Sequence, residues 1–162
     1  MKQKCIIRPA EISDLEEMKQ VIQIAMDQYS LISHIPPLAP LDALKETVKD
    51  LRKYVLSDYF LLAIYEEKIV GTIRISEVTN DEAYISRFAV LPSMQKLGVG
   101  SVIFEAAVNY IIKKGYQKVT LHTALKNAPL VRFYTRHDFV LFETNTDRGY
   151  ARGKFVKYIS TL

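Results

Sequence analysis

The segment from Val99 to Ile111 constrains the fold more than any other part of this 162-residue chain. Val99, Val102, Ile103, Ala106, Ala107, Tyr110 and Ile111 fill the i, i+3, i+4, i+7 face of a helix without a gap, and Gly115 supplies the stop. So continuous an apolar stripe has to be buried against another layer. Just upstream, Val90-Leu91-Pro92-Ser93-Met94-Gln95-Lys96-Leu97-Gly98-Val99-Gly100 leads from a strand end, through a turn, into this helix. The first amides of a helix lack intrahelical partners and point outward with the positive end of its dipole. Gly98 and Gly100 let a ligand come close to that backbone, and Lys96 adds a positive charge, so the turn is a candidate phosphate nest. A Gly-x-Gly at a helix start is equally an ordinary tight turn. The third glycine of a dinucleotide fingerprint and the Gly-Lys-Ser/Thr ending of a P-loop are both missing, which removes those two alternatives.

The rest of the chain alternates between period-two and helical patterns. Lys4 to Arg8 is a strand closed by Pro9, and Ser13-Asp14-Leu15-Glu16 has capping-box form for a helix running to about Ser30. Leu31 to Pro40 is a loop, and Asp42 caps a second helix through about Leu56. Tyr59–Tyr65 and Ile69–Glu77 form a hairpin, and Ala83–Val90 is a third strand after the Asn80-Asp81 turn. Lys118–Thr123 is the next strand, and a short helix follows Asn127-Ala128-Pro129 through Arg136. Phe139–Thr144 and Lys154–Ile159 are the last strand pair, joined by a polar loop from Asn145 to Gly153. The order is β-α-α-β-β-β-α-β-α-β-β, an α+β chain expected to form one domain over residues 1–162.

Apolar residues at 49% and charged residues at 25% are those of a globular protein and exclude a disordered chain. The longest apolar runs are far shorter than a membrane span, so neither membrane anchor nor signal peptide is expected. A single cysteine, Cys5, forms no internal disulfide and fits a cytoplasmic protein. The net charge of +4 is spread along the chain without basic tracts, so nucleic acid is not expected as a partner. His34, His122 and His137 show no metal-pair spacing, and no metal is expected.

With Gln95-x-x-Gly98-x-Gly100 directly after Tyr84-Ile85-Ser86-Arg87-Phe88-Ala89-Val90 and Pro92, the chain resembles the GNAT superfamily of N-acetyltransferases. The element order and the Ile7-Arg8-Pro9-Ala10 opening extend the resemblance over nearly the whole chain. It implies a mixed, mostly antiparallel sheet with splayed parallel central strands flanked by helices. It also implies acetyl-CoA as cofactor, with pyrophosphate held by the turn of Gln95, Lys96, Leu97, Gly98, Val99, Gly100 and Ser101. The pantetheine arm would pair with main chain around Phe88, Ala89 and Val90, opposite Lys118–Thr123. Asn127 matches a residue that contacts the cofactor arm or caps the helix; Arg132 and Lys126 could meet the adenosine phosphates or be solvated surface residues.

Transfer of an acetyl group to an amine needs a deprotonated amine, a stabilised oxyanion and a proton for the departing thiolate. Tyr134, in Leu130-Val131-Arg132-Phe133-Tyr134, matches the family's tyrosine that meets the thiolate, and a phenol is protonated at neutral pH. Members often carry glycine before the phenylalanine that ends this helix, whereas this chain has Asp138 before Phe139. Glu77, Glu82 and Tyr84 are the candidates for the base. Alternation along a regular strand would put Tyr84, Ser86 and Phe88 on one face and Ile85, Arg87 and Ala89 on the other. Cys5, on the remote first strand, is no candidate nucleophile, so transfer should be direct. His34 falls in the loop that often walls the acceptor pocket. The acceptor would be a small-molecule or peptide amine, and the final strands could pair across a homodimer. The alternative is a catalytically inactive acyl-CoA-binding regulatory or protein-interaction module on the same fold.

Overall fold

A computed structural model describes residues 5–36 and 41–159. Its seven strands are β1 (Ile6–Pro9), β2 (Tyr59–Tyr65), β3 (Lys68–Glu77), β4 (Glu82–Val90), β5 (Lys118–Ala124), β6 (Val140–Asn145) and β7 (Arg152–Tyr158). They form one sheet in the order β1-β2-β3-β4-β5-β7-β6. Every neighbouring pair is antiparallel except β4 and β5, which are parallel. The helices are α1 (Leu15–Ile32), α2 (Asp42–Lys45), α3 (Val48–Ser57), α4 (Val99–Lys113) and α5 (Ala128–Arg136). The expected mixed sheet is therefore observed, and among the described residues the element order matches except that three α-helices, not two, separate β1 from β2. Lys4 and the end of the expected loop, residues 37–40, lie outside the described residues.

Two apolar clusters cover the two faces of the sheet. Met18, Val21, Ile22 and Ala25 of α1 pack with Leu51 of α3 and with Phe60 and Leu62 of β2. On the other face, Val99, Ile103, Phe104, Ala107 and Ile111 of α4 meet Ile73, Ile85, Val119 and Leu121, all of them buried. Val102, expected on the inward stripe, is instead 43% exposed at its margin. Among the described residues no helix is long and apolar enough to cross a membrane.

Three local expectations are corrected. The start of α1 does not use Ser13 and Glu16: the Asp14 carboxylate accepts the Glu11 amide at 2.8 Å and pairs with both terminal nitrogens of Arg8. The single helix expected from Asp42 to Leu56 is two, α2 and α3, with an extended Glu46 and Thr47 between them. Thr47 and Asp50 form a capping box, which restarts the helix, while Glu46 is drawn inward to bind Arg87. Finally, β7 begins at Arg152 and Gly153, residues expected to lie in the preceding loop.

The departure that matters most is inside β4. Thr72 pairs with Ala89 and Arg74 with Ser86, so Arg87 and Phe88 together oppose Ile73 in a β-bulge. Arg87 takes φ +50, with its carbonyl held by the Thr72 hydroxyl at 2.8 Å. The extra residue ends the alternation expected from sequence. Phe88 joins Ile85 in the cluster on the α4 side, whereas Ala89 packs on the α1 side. Pairing of β4 with β5 is confined to Glu82–Tyr84 against Lys118–Thr120; beyond Tyr84 the two strands have no paired residues. A V-shaped opening between the parallel strands results.

Candidate active site

At the end of β4 the chain makes a 3-10 turn over Pro92–Leu97 and enters α4 through Gly98, at φ +79. That left-handed geometry is what glycine supplies here, because an L side chain would cost about 1–2 kcal/mol. Gly100 serves differently. A Cβ there would sit 3.6 Å from Phe88 and 3.8 Å from Val90, so the protein has room for it, but the space it would fill is part of a cleft. The amides of Val99, Gly100 and Ser101, in the first turn, have no i−4 partners within the helix. Gln95 holds the turn in place: its amide nitrogen donates to the Val90 carbonyl at 3.2 Å and to Gln28 Oε1 on α1 at 2.9 Å.

The cleft, of about 340 Å³, runs from this turn between α1 and α5. Phe88, Ala89, Val90, Gln95, Gly98, Gly100, Ser101 and Asn127 line it, as does Arg136. Of the other residues expected at the cofactor, Lys96 and Leu97 are exposed on the turn, Val99 is buried in the core, and Arg132 is exposed on α5 outside the cleft wall. Asn127 is 3% exposed. Its Oδ1 accepts the Leu130 amide as the cap of α5, and its Nδ2 donates to Ser33 Oγ just past α1. This one side chain ties two walls of the cleft together.

A second, smaller cavity of about 120 Å³ adjoins the first, and Met26, Tyr29, Phe88 and Leu130 border both. Tyr84, His122 and Tyr134 face into it. The Tyr134 ring is buried among Phe88, Phe104, Phe139 and Phe155. Burial pushes its phenol far above the usual range, so it stays protonated. Its hydroxyl makes no hydrogen bond with another described residue. Asp138 resolves the departure at the end of α5. It adopts φ +68, the left-handed conformation a glycine would take, and Phe139 N donates to the Tyr134 carbonyl at 3.0 Å. Aspartate is among the non-glycine residues that tolerate this region best, so the helix end keeps its form.

The base candidates separate sharply. Glu77 and Glu82 line neither cavity. They lie at the paired end of β4, where Glu77 accepts the Tyr116 hydroxyl at 2.6 Å and Glu82 accepts the Thr120 hydroxyl and pairs with Lys118. Tyr84 is inside the second cavity, with its hydroxyl 2.7 Å from His122 Nδ1. Burial, then the charges of Arg152, Lys154 and Arg148, lower the His122 pKa below the usual imidazole value. Burial likewise raises that of Tyr84. The result is a neutral phenol–imidazole pair at neutral pH. His122 was singled out from sequence only as a non-ligand. The available signal was an imidazole in a β-rich run two residues past Thr120, the partner of Tyr84. Tyr29 was also missed; its hydroxyl accepts the Ala124 amide at 2.7 Å and so bridges α1 to β5 across the opening. His34, at φ +54, is exposed and lines neither cavity.

Known acetyltransferases share this fold. The PaiA N-acetyltransferase of Thermoplasma acidophilum, solved in complex with coenzyme A, superposes with a TM-score of 0.85 at 19% identity, over 97% of this chain and 100% of that one. A GNAT family acetyltransferase of Elizabethkingia anophelis, solved with acetyl-CoA bound, gives 0.71 at 16% identity, over 98% and 100%. At these identities the likeness is one of fold. The probable N-acetyltransferase san of Drosophila melanogaster is 31% identical over 87 residues, covering 51% of this chain and 47% of that protein. The probable N-acetyltransferase camello of Xenopus tropicalis is 25% identical over 123 residues, covering 74% and 56%. The chain thus spans about half the length of these curated relatives. The model of the acetyltransferase (GNAT) family matches residues 18–139, most of the chain, and the chain belongs to that family.

Proposed function

We propose that the protein is an N-acetyltransferase that moves an acetyl group from acetyl-CoA to a primary amine by direct attack in a ternary complex. The observation that carries this is the junction of the two cavities, where the cleft from the α4 turn meets the chamber of Tyr84, His122 and Tyr134. The family and the two solved relatives with coenzyme A or acetyl-CoA bound support the choice of acyl donor. Residues in the cleft suit such a polyanionic thioester: unpaired α4 amides, the Ser101 hydroxyl, the Arg136 guanidinium, and no side chain at Gly98 or Gly100. Bound there, acetyl-CoA would supply an activated acyl group whose thiolate leaves easily.

The chain's own residues supply the proton transfers. The Tyr84 hydroxyl takes a proton from the incoming ammonium as its own proton passes to His122 Nδ1, leaving a neutral amine and an imidazolium. Tyr134, held protonated by burial, would give its proton to the departing thiolate and recover one from the newly acylated nitrogen, which has a second proton to lose. Cys5 lines neither cavity, in keeping with transfer that uses no acyl-enzyme. Tyr134→Phe tests the scheme: amine-dependent thiol release should fall at least tenfold while acetyl-CoA binding persists. Unchanged release would remove the phenol from the mechanism.

A further inference from the structure

Resting on the acetyltransferase proposal, the charges around the acceptor chamber narrow the class of amine. Arg87, Arg148, Arg152 and Asp42 line it. Arg87 is neutralised by Glu46, with contacts of 2.7–3.0 Å, and Arg148 by Asp42 at 2.9 Å. Arg152 has no acidic partner and no side-chain hydrogen bond among the described residues. Its position is fixed by the β5–β7 ladder, in which Lys154 pairs with His122 and Arg152 with Ala124. Arg152 is therefore on the same face as His122, its diagonal neighbour across the ladder at about 7 Å. A partly buried guanidinium beside the base, with its donors unused, is a site for a planar anion. This one uncompensated positive charge disfavours a polycation.

We infer that the acceptor is an amine that also carries a carboxylate, bound by Arg152 while its amine meets Tyr84. The carboxylate can be the α-carboxylate of a free amino acid or the side chain of an acidic residue near the start of a peptide. Paired acceptors separate these sources: phenylalanine against phenethylamine, and otherwise identical peptides with Glu or Gln in second place, with spermidine as the polycation. One carboxylated member should exceed its neutral partner by roughly ten- to a hundredfold in kcat/KM, and spermidine should be poor. Arg152→Gln should pull that ratio toward one with the KM for acetyl-CoA unmoved, and Arg152→Lys should keep part of it. Equal use of both members of each pair, a preference for spermidine, or an Arg152→Gln ratio equal to the parent's would overturn the inference alone. Thiol release with no amine at all would overturn the acetyltransferase proposal and this inference with it.

Discussion

Replacing Gly100 with alanine should move stability and cofactor affinity in opposite directions. Gly100 is the second residue of α4, with helical geometry and room for a methyl group, because the nearest atoms would be 3.6 Å and 3.8 Å away. Removing a glycine from a helix interior gains up to about 1 kcal/mol, and roughly half of that is reasonable in the first turn. For a chain of this size, 0.5 kcal/mol corresponds to a rise of about 1–2 °C in Tm. The new methyl would nevertheless stand over Phe88 and Val90 in the cleft, where the amides of α4 meet the donor. Losing one charge-assisted hydrogen bond there costs about 1.5 kcal/mol, or roughly tenfold in Kd. Gly98→Ala is the control: at φ +79 it should cost about 1–2 kcal/mol and lower Tm by about 2–8 °C. Thermal unfolding and acetyl-CoA titration by calorimetry read both quantities. A Gly100→Ala variant that melts lower, or binds acetyl-CoA as tightly as the parent, would refute the division of labour between the two glycines.

Other perturbations probe the walls and the proton path. Asn127→Ala removes the α5 cap and a buried bond to Ser33, and should cost about 2 kcal/mol and 4–8 °C in Tm. Asp138→Gly relieves a left-handed aspartate and should gain about 0.5 kcal/mol by chemical denaturation, with turnover kept. His122 has a lowered pKa in the fold, so the kcat/KM profile should show an acid limb with its midpoint below about 6.5, absent in His122→Gln. The same shift means that the unfolded chain binds this proton first, so its contribution to stability is lost as pH falls below about 6.5.

Elements set by local patterns were legible in the sequence. The α4 stripe, the Gly98 turn, the Asn127 cap and the succession of strands along the chain all follow from rules that act within a few residues, while the sheet's arrangement was implied by the family resemblance. What could not be read depends on contacts distant in sequence. Glu46 breaks a helix because Arg87, 41 residues away, captures its carboxylate. Phe88 changes face because the β4 bulge is stabilised by Thr72 on another strand. The pairing of Tyr84 with His122 depends on the parallel register of β4 and β5, and Arg152 enters the chamber wall only because β7 pairs further than its turn residues imply. Asp138 shows the converse, where a residue that departs from the family pattern adopts the backbone shape the pattern requires.

Amine-dependent release of free thiol from acetyl-CoA, followed across an amine panel with succinyl-CoA as control, tests the central claim most directly. The account predicts one acetylated amine formed for each thiol released, with acetyl-CoA preferred to succinyl-CoA and no release when the amine is omitted. Tight binding of acetyl-CoA without thiol release for any amine would contradict it and leave an acyl-CoA-binding module on the same fold.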